Sequence, residues 1–222
     1  MQYDVIIIGA GPGGIFSAYE LSKLCPEKRI AVFEEGQPLE KRRCPIDGKT
    51  VKHCIGCPTC AIMNGFGGAG AFSDGKLSLS SEVGGDLPQL IGDDLAQEMI
   101  NYADSIYLEF GADEHIEGLD NTEEVKSIRK RAIQAGLRLV DCPIRHMGTE
   151  KAHGIYLSIE KYLAEHGVEL LFGCECTNLI LEDNVCRGIY ARQNGQDIEI
   201  HAKRTVVATG RRGADWLEGI CA

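Results

Sequence analysis

Three groups of residues in this 222-residue chain have the types and spacing to do chemistry. The first is the run Gly9-Ala10-Gly11-Pro12-Gly13-Gly14. In a G-x-G-x-x-G turn the first glycine permits a tight bend and the second lets the backbone approach a pyrophosphate. The third allows close packing of helix on strand, and the helix start presents free N–H groups to the phosphates. About twenty residues further on, Glu34 ends an apolar run and can accept from ribose hydroxyls, while its charge repels the 2′-phosphate of NADP. The second group is Cys44, Cys54, Cys57 and Cys60. A C-x2-C-x2-C run puts three sulfurs in one short loop, where thiolates can converge on an iron-sulfur cluster or a zinc ion, with Cys44 as a fourth ligand. Cys57-Pro-Thr-Cys60 also reads as a redox dithiol, and ordinary thiols are a third reading. The last group is two single side chains. His146, in "PIRHMGTEK", is of the residue type suited to proton transfer, or is a capping or core histidine. Lys76, in "SDGKL", could stabilise the negative charge on a reduced cofactor, or simply pair with Asp74 on a solvated loop.

These residues need a scaffold, and the pattern around them supplies one. "YDVIIIGAG" reads as a buried strand, "GIFSAYELSKL" as a helix and "RIAVFEEG" as a second strand, together a βαβ unit. From Gln37 to about Gly85 the chain is loop-like. Leu87, Ile91, Leu95, Met99, Tyr102 and Ile106 then recur at helical spacing and are expected to face a core. "KSIRKR" (Lys126 to Arg131) is expected to be the solvated face of a helix. Thr149 is a plausible cap for a helix over "GIYLSIEKYLAEHG", which stops at Gly167. "VELLFGCEC" is expected to be a strand, followed by a meander in which Asn194-Gly195 signals a hairpin. The expected organisation is 1–84 as the first part of a nucleotide-binding domain with its Cys- and Gly-rich loop. Residues 85–148 then form a helical insertion that starts a substrate or cap region, and 149–222 the second part of the nucleotide-binding domain.

Composition narrows the possibilities. With 44% hydrophobic residues the chain can bury a core. A net charge of -10 argues against a nucleic-acid partner. No apolar run reaches the ~20 residues of a membrane helix, so no membrane association is expected. The N-terminal apolar run lacks the basic flank of a signal peptide, which points to a cytoplasmic location and to ten cysteines that are reduced, metal-bound or redox-active rather than paired. Cys25, Cys142, Cys174, Cys176, Cys186 and Cys221 show no ligand spacing and read as packing residues.

A first glycine turn does not distinguish FAD from NAD. The layout after it, a helix, a strand, an antiparallel meander and a strand closing in "VVATG" (Val206 to Gly210), resembles the two-dinucleotide-domain flavoproteins. Together "RRCP", "CIGCPTC", "GFGGAGAFSDGKL", "PIRHMGTEK" and "VVATGRRGADWL" resemble a bacterial family of FAD-dependent dehydrogenases, along nearly the whole chain. The resemblance implies an α/β, Rossmann-like three-layer FAD/NAD(P)-binding fold with a β-meander, cut short before the substrate domain is complete. It implies FAD held by Gly9, Ala10, Gly11, Pro12, Gly13, Gly14, Glu34 and Glu35. Gly68 would lie in the segment beside the flavin, Cys176 backbone at the adenine, and Thr209 and Gly210 on the returning strand.

The expected function is thus an FAD-dependent oxidoreductase acting on a small organic substrate with an electron donor or acceptor. Its missing half would be supplied by a separate chain or by self-association. Two other classes stay open: a cysteine-ligated metal or redox-dithiol module on a vestigial flavin fold, and a flavin-dependent RNA-modifying enzyme, which the charge disfavours.

Overall fold

A computed structural model describes residues 2–221. The chain forms two compact units, Met1–Phe72 with Tyr156–Ala222, and Ser73–Ile155.

The first unit is built on a six-stranded sheet in the order β5-β2-β1-β8-β7-β6. Strand β1 (Gln2–Ile8), helix α1 (Pro12–Leu24) and β2 (Ile30–Glu34) make the expected βαβ unit, with Val5 to Ile8 paired in parallel to Ile30 to Phe33. β5 (Val168–Phe172) extends the parallel side. β6 (Cys174–Glu182), β7 (Val185–Gln193) and β8 (Gln196–Val207) form the meander, and β8 returns to pair in parallel with β1. The run "VELLFGCEC" is therefore two strands rather than one. Gly173, at φ +61, turns the chain between them, and its N–H donates to Gly36 O at 2.8 Å. Asn194 and Gly195 both take positive φ at the β7–β8 hairpin, as a two-residue primed turn requires.

Alternation decides which side chains are inside. Ile6, Ile8, Ala31 and Phe33 pack with Ile189, Ala191, Ile200 and Ala202 of the meander in one buried cluster. Tyr19 of α1 and Tyr162 of α5 (Thr149–Glu165) meet at 5.5 Å between ring centroids. The architecture is the expected α/β fold with a parallel sheet and an antiparallel meander. Thr149 is the first residue of α5 rather than the cap before it.

Buried Tyr3 donates its hydroxyl to Glu169 Oε2 at 2.8 Å, and burial with that bond pushes its pKa up to about 12. The phenol is neutral in both states below pH 10, so its stabilisation is complete there and is lost as pH rises toward 12. In an alkaline unfolding series, the stability gap between wild type and Tyr3→Phe should therefore narrow over that window; a pH-independent gap would refute the assignment.

The second unit holds a ribbon of β3 (Lys76–Ser78) and β4 (Ile144–His146), with helices α2 (Leu87–Ile91), α3 (Asp93–Glu109) and α4 (Glu123–Gln134). Residues 73–84 join this unit because β3 pairs with β4. Its polar anchor is Arg145, 3% exposed, which donates to both oxygens of Asp104 at 2.5 and 2.7 Å and to Asp113 O. α4 buries no side chain, so "KSIRKR" is a solvated face.

The apolar stripe expected to face a core does not. Gly92, at φ +88, ends α2 and breaks the stripe. Leu95, Met99 and Tyr102 are 42%, 52% and 49% exposed, and only Ile106 of the six is buried. α3 instead buries Ala96, Asp104, Ile106 and Tyr107, because the unit is organised around the Arg145–Asp104 pair rather than that stripe. No helix among the described residues is long and apolar enough to cross a membrane.

Candidate nucleotide site and acid-base ribbon

The glycine turn joins β1 to α1 through three distinct constraints. Gly9 has φ +100, and a Cβ there would lie 2.6 Å from Ala208 O. A Cβ on Gly14 would lie 1.9 Å from Gly9 O, so helix and strand meet as only glycine allows. Gly11 differs: it has φ -76 and no atom within 4 Å of where a Cβ would be. Open space thus lies at the start of α1, where Pro12 occupies the first turn, no side chain caps the helix, and no acidic residue is present. Unsatisfied N–H groups and the positive end of the helix dipole favour an anion there. Gly13 has room as well, with Ala208 Cβ at 3.7 Å.

The Gly-rich loop is fastened to this turn. Gly67 N donates to Ala10 O at 2.8 Å, and a Cβ on Gly68 would lie 3.2 Å from Gly11 Cα. Arg42 is the strut beneath. Its guanidinium is buried, donates to Ala61 O, Ile62 O and Phe66 O at 2.9, 2.8 and 2.6 Å, and lies 4.6 Å from the Phe72 ring centroid. Burial lowers its pKa, with the Glu34 charge opposing.

Glu34 is less free than its spacing implies. It is buried, and its carboxylate accepts from the N–H groups of Ala10, Gly36 and Gly65 at 2.8, 2.8 and 2.9 Å. It ties the glycine turn, the end of β2 and the Gly-rich loop to one point. Next to it, Glu35 accepts from Asn64 Nδ2 and lies 3.7 Å from Arg212 Nε. Burial raises the Glu35 pKa, and Arg212 opposes that shift.

Cys176 lies on β6 at a register shift in its pairing with β7. Burial pushes its thiol up to about 12 and that of Cys174 up to about 11, so neither is a ready nucleophile. Thr209 and Gly210 follow β8, and Gly210 takes φ +59.

In the second unit, Lys76 and His146 are direct partners across the β3–β4 ribbon. Directly opposed residues in an antiparallel pair project from the same face, so two side chains far apart in sequence become neighbours. Lys76 Nζ pairs with Asp74 at 2.8 Å, an interaction that raises the lysine pKa and lowers that of Asp74. His146 Nδ1 lies 3.4 Å from Glu117 Oε1, and the Glu117 backbone is bridged to Ile144 by two hydrogen bonds.

The four cysteines of the second sequence group lie outside any helix or strand. Cys44 and Cys54 are exposed, Cys57 and Cys60 half-buried, and all four are free thiols. Among the described residues, no three His, Cys, Asp or Glu side chains are gathered as a metal ion would need. Sequence reading missed Arg42 as a strut, Asn64 and Glu117. The only local signal was the position of Asn64 directly before the glycine-rich run.

The fold is similar to that of several solved structures. With the 3-ketosteroid-delta4-(5alpha)-dehydrogenase of Rhodococcus jostii the TM-score is 0.58 at 16% identity, covering 94% of this chain and 46% of that one. With the L-amino acid deaminase of Proteus vulgaris the values are 0.52 and 16%, covering 94% and 47%. With the glycine oxidase of Geobacillus kaustophilus they are 0.51 and 19%, covering 96% and 56%. The chain thus spans about half the length of these proteins, and at such identity the likeness speaks for the fold alone. No curated protein sequence matches the chain significantly. The family described as FAD binding domain matches residues 59–221, a range that includes the Gly-rich loop and the meander but not the glycine turn. Because that range is well over half of the 222 residues, the chain belongs to the FAD binding domain family.

Proposed function

We propose that this chain is the FAD-binding part of an FAD-dependent oxidoreductase, a dehydrogenase acting on a small organic substrate. The observation that carries this reading is the open position at Gly11, beside uncapped N–H groups of α1 and against Gly68. It is a cradle that a Cβ would fill, and its donors suit a pyrophosphate. The residues present therefore fit FAD, with the turn Gly9 to Gly14 and α1 at the pyrophosphate and Glu34 and Glu35 on the nucleoside side. Gly68 would lie beside the flavin, Cys176 backbone near the adenine, and Thr209 and Gly210 at the returning strand. Bound there, FAD supplies the acceptance of a hydride or electrons from the substrate.

The chain's own contribution to chemistry is assigned to the ribbon of the second unit. His146 takes or returns the substrate proton, and Lys76 stabilises negative charge that develops on substrate oxygen. Their in-register pairing favours this reading, since two independent candidates are brought to one face.

Anaerobic mixing of flavin-loaded protein with small alcohols, amines and acids, followed by flavin absorbance, tests the reading. A substrate should bleach the flavin, and His146→Gln should slow bleaching by about 100-fold with unchanged flavin content. Equal rates in wild type and His146→Gln would remove the histidine from the mechanism. A folded chain that takes up no FAD would overturn the whole proposal.

A metal role for Cys44, Cys54, Cys57 and Cys60 gains no support from their arrangement among the described residues, which leaves a Cys57–Cys60 dithiol or ordinary thiols as the readings. All four should react with an alkylating agent in the native protein, Cys44 and Cys54 fastest because they are exposed. Protection of three or four of them together, released by a chelator, would restore the metal reading.

A further inference from the structure

Among the described residues, one buried side-chain polar atom has no hydrogen-bond partner: Asn64 Oδ1. Asn64 is 5% exposed, and its amide nitrogen is engaged by Glu35. Buried acceptors are nearly always satisfied, and each exception asks for an explanation. Here its neighbourhood supplies one. Asn64 directly precedes Gly65, whose N–H is bonded to Glu34 Oε1 at 2.9 Å. A Cβ on Gly36 would lie 2.3 Å from Gly65 N and 2.5 Å from Asn64 C, so the ends of β2 and of the Gly-rich loop are in contact.

A carboxylate has about four lone-pair sites. In Glu34, Oε1 uses two on Gly36 N and Gly65 N, and Oε2 uses one on Ala10 N. One site remains, on Oε2. A ribose brings a vicinal diol, two donors side by side, and Glu34 alone has room for one. The unfilled carbonyl of Asn64 is the second acceptor at the same corner of the fold.

We propose that Asn64 is a nucleotide-binding residue whose side-chain carbonyl accepts one hydroxyl of the ribose diol, while the open position on Glu34 Oε2 accepts the other. This rests on the FAD-binding reading above and adds to it how the diol is shared. Asn64 Oδ1 is enclosed in the nucleotide-free protein, so binding includes a rotation of the Asn64 side chain toward the ligand.

The test is titration calorimetry of the full 222-residue chain, freed of flavin, with ADP, 2′-deoxy-ADP and 3′-deoxy-ADP. Wild type should lose roughly five- to tenfold in affinity for each hydroxyl removed, as expected for one hydrogen bond apiece. Asn64→Ala should bind ADP weaker by a similar factor and become indifferent to one hydroxyl, its penalty for the other being unchanged. Asn64→Gln keeps both the carbonyl acceptor and the donor to Glu35, so it should keep both penalties, and it serves where the alanine variant fails to fold. Both penalties persisting in Asn64→Ala, or one vanishing in Asn64→Gln, would overturn the role of the Asn64 carbonyl while leaving the nucleotide site intact. A folded wild-type chain that binds no ADP would overturn the underlying reading as well.

Discussion

Gly11→Val is expected to yield a folded chain that no longer retains flavin. The backbone at Gly11 is at φ -76 and ψ -178, an extended conformation that a β-branched residue adopts readily, and nothing lies within 4 Å of the new Cβ. The added Cβ thus meets no protein atom and lies in the space at the start of α1 where the phosphates would approach. Overpacking of that kind costs ~1–3 kcal/mol, or about five- to 150-fold in affinity. Circular dichroism should be unchanged, and flavin absorbance after gel filtration should fall to background. The neighbouring glycines cannot give so clean an answer. At Gly14 a Cβ would lie 1.9 Å from Gly9 O, and Gly9 has φ +100, so substitution at either damages the fold along with the site. Undiminished flavin in Gly11→Val would mean that the turn serves only to join β1 to α1.

The largest stability effect is expected at the second unit's ion pair. Asp104→Ala leaves the Arg145 guanidinium buried, with its two best acceptors gone and only the carbonyls of Asp113 and His115 remaining. Breaking a buried pair from one side costs about 3–5 kcal/mol, because the stranded charge keeps its desolvation penalty. Arg145→Met together with Asp104→Leu should recover much of that loss, since a buried ion pair can often be replaced by apolar groups of similar volume. Urea unfolding of the two variants against wild type measures this. A loss below about 1 kcal/mol in Asp104→Ala would show that the pair is effectively solvated. The chain has two compact units, so the transition is best followed with probes in each rather than as one two-state curve.

Much of the first unit is legible in the sequence because its signals are local. A continuous apolar strand, a glycine turn and a helix start depend on residues within a few positions of one another, and Asn194-Gly195 names its own turn type. The break at Gly173 was not legible. The apolar run continues on both sides of it, and only the assignment of β5 to β2 and of β6 to the meander separates the two. The stripe from Leu87 to Ile106 failed for a related reason. Helical periodicity states which face is apolar, not whether anything covers it, and most of that face is exposed while Asp104 is inside.

The candidate site divides the same way. Residue type and spacing alone determined that a pyrophosphate-sized anion could be met at Gly9 to Gly14, that Glu34 belongs to that turn, and that His146 and Lys76 could carry protons and charge. Each is a property of a side chain or of a short stretch of backbone. Only the tertiary structure decided that Glu34 spends three acceptor positions on the backbone, that Asn64 keeps an unfilled carbonyl beside it, and that Lys76 and His146 face each other across one ribbon. The physical reason is that hydrogen-bond satisfaction and burial are properties of contacts between distant segments. A carboxylate's free acceptors can be counted only after every N–H that reaches it has been placed.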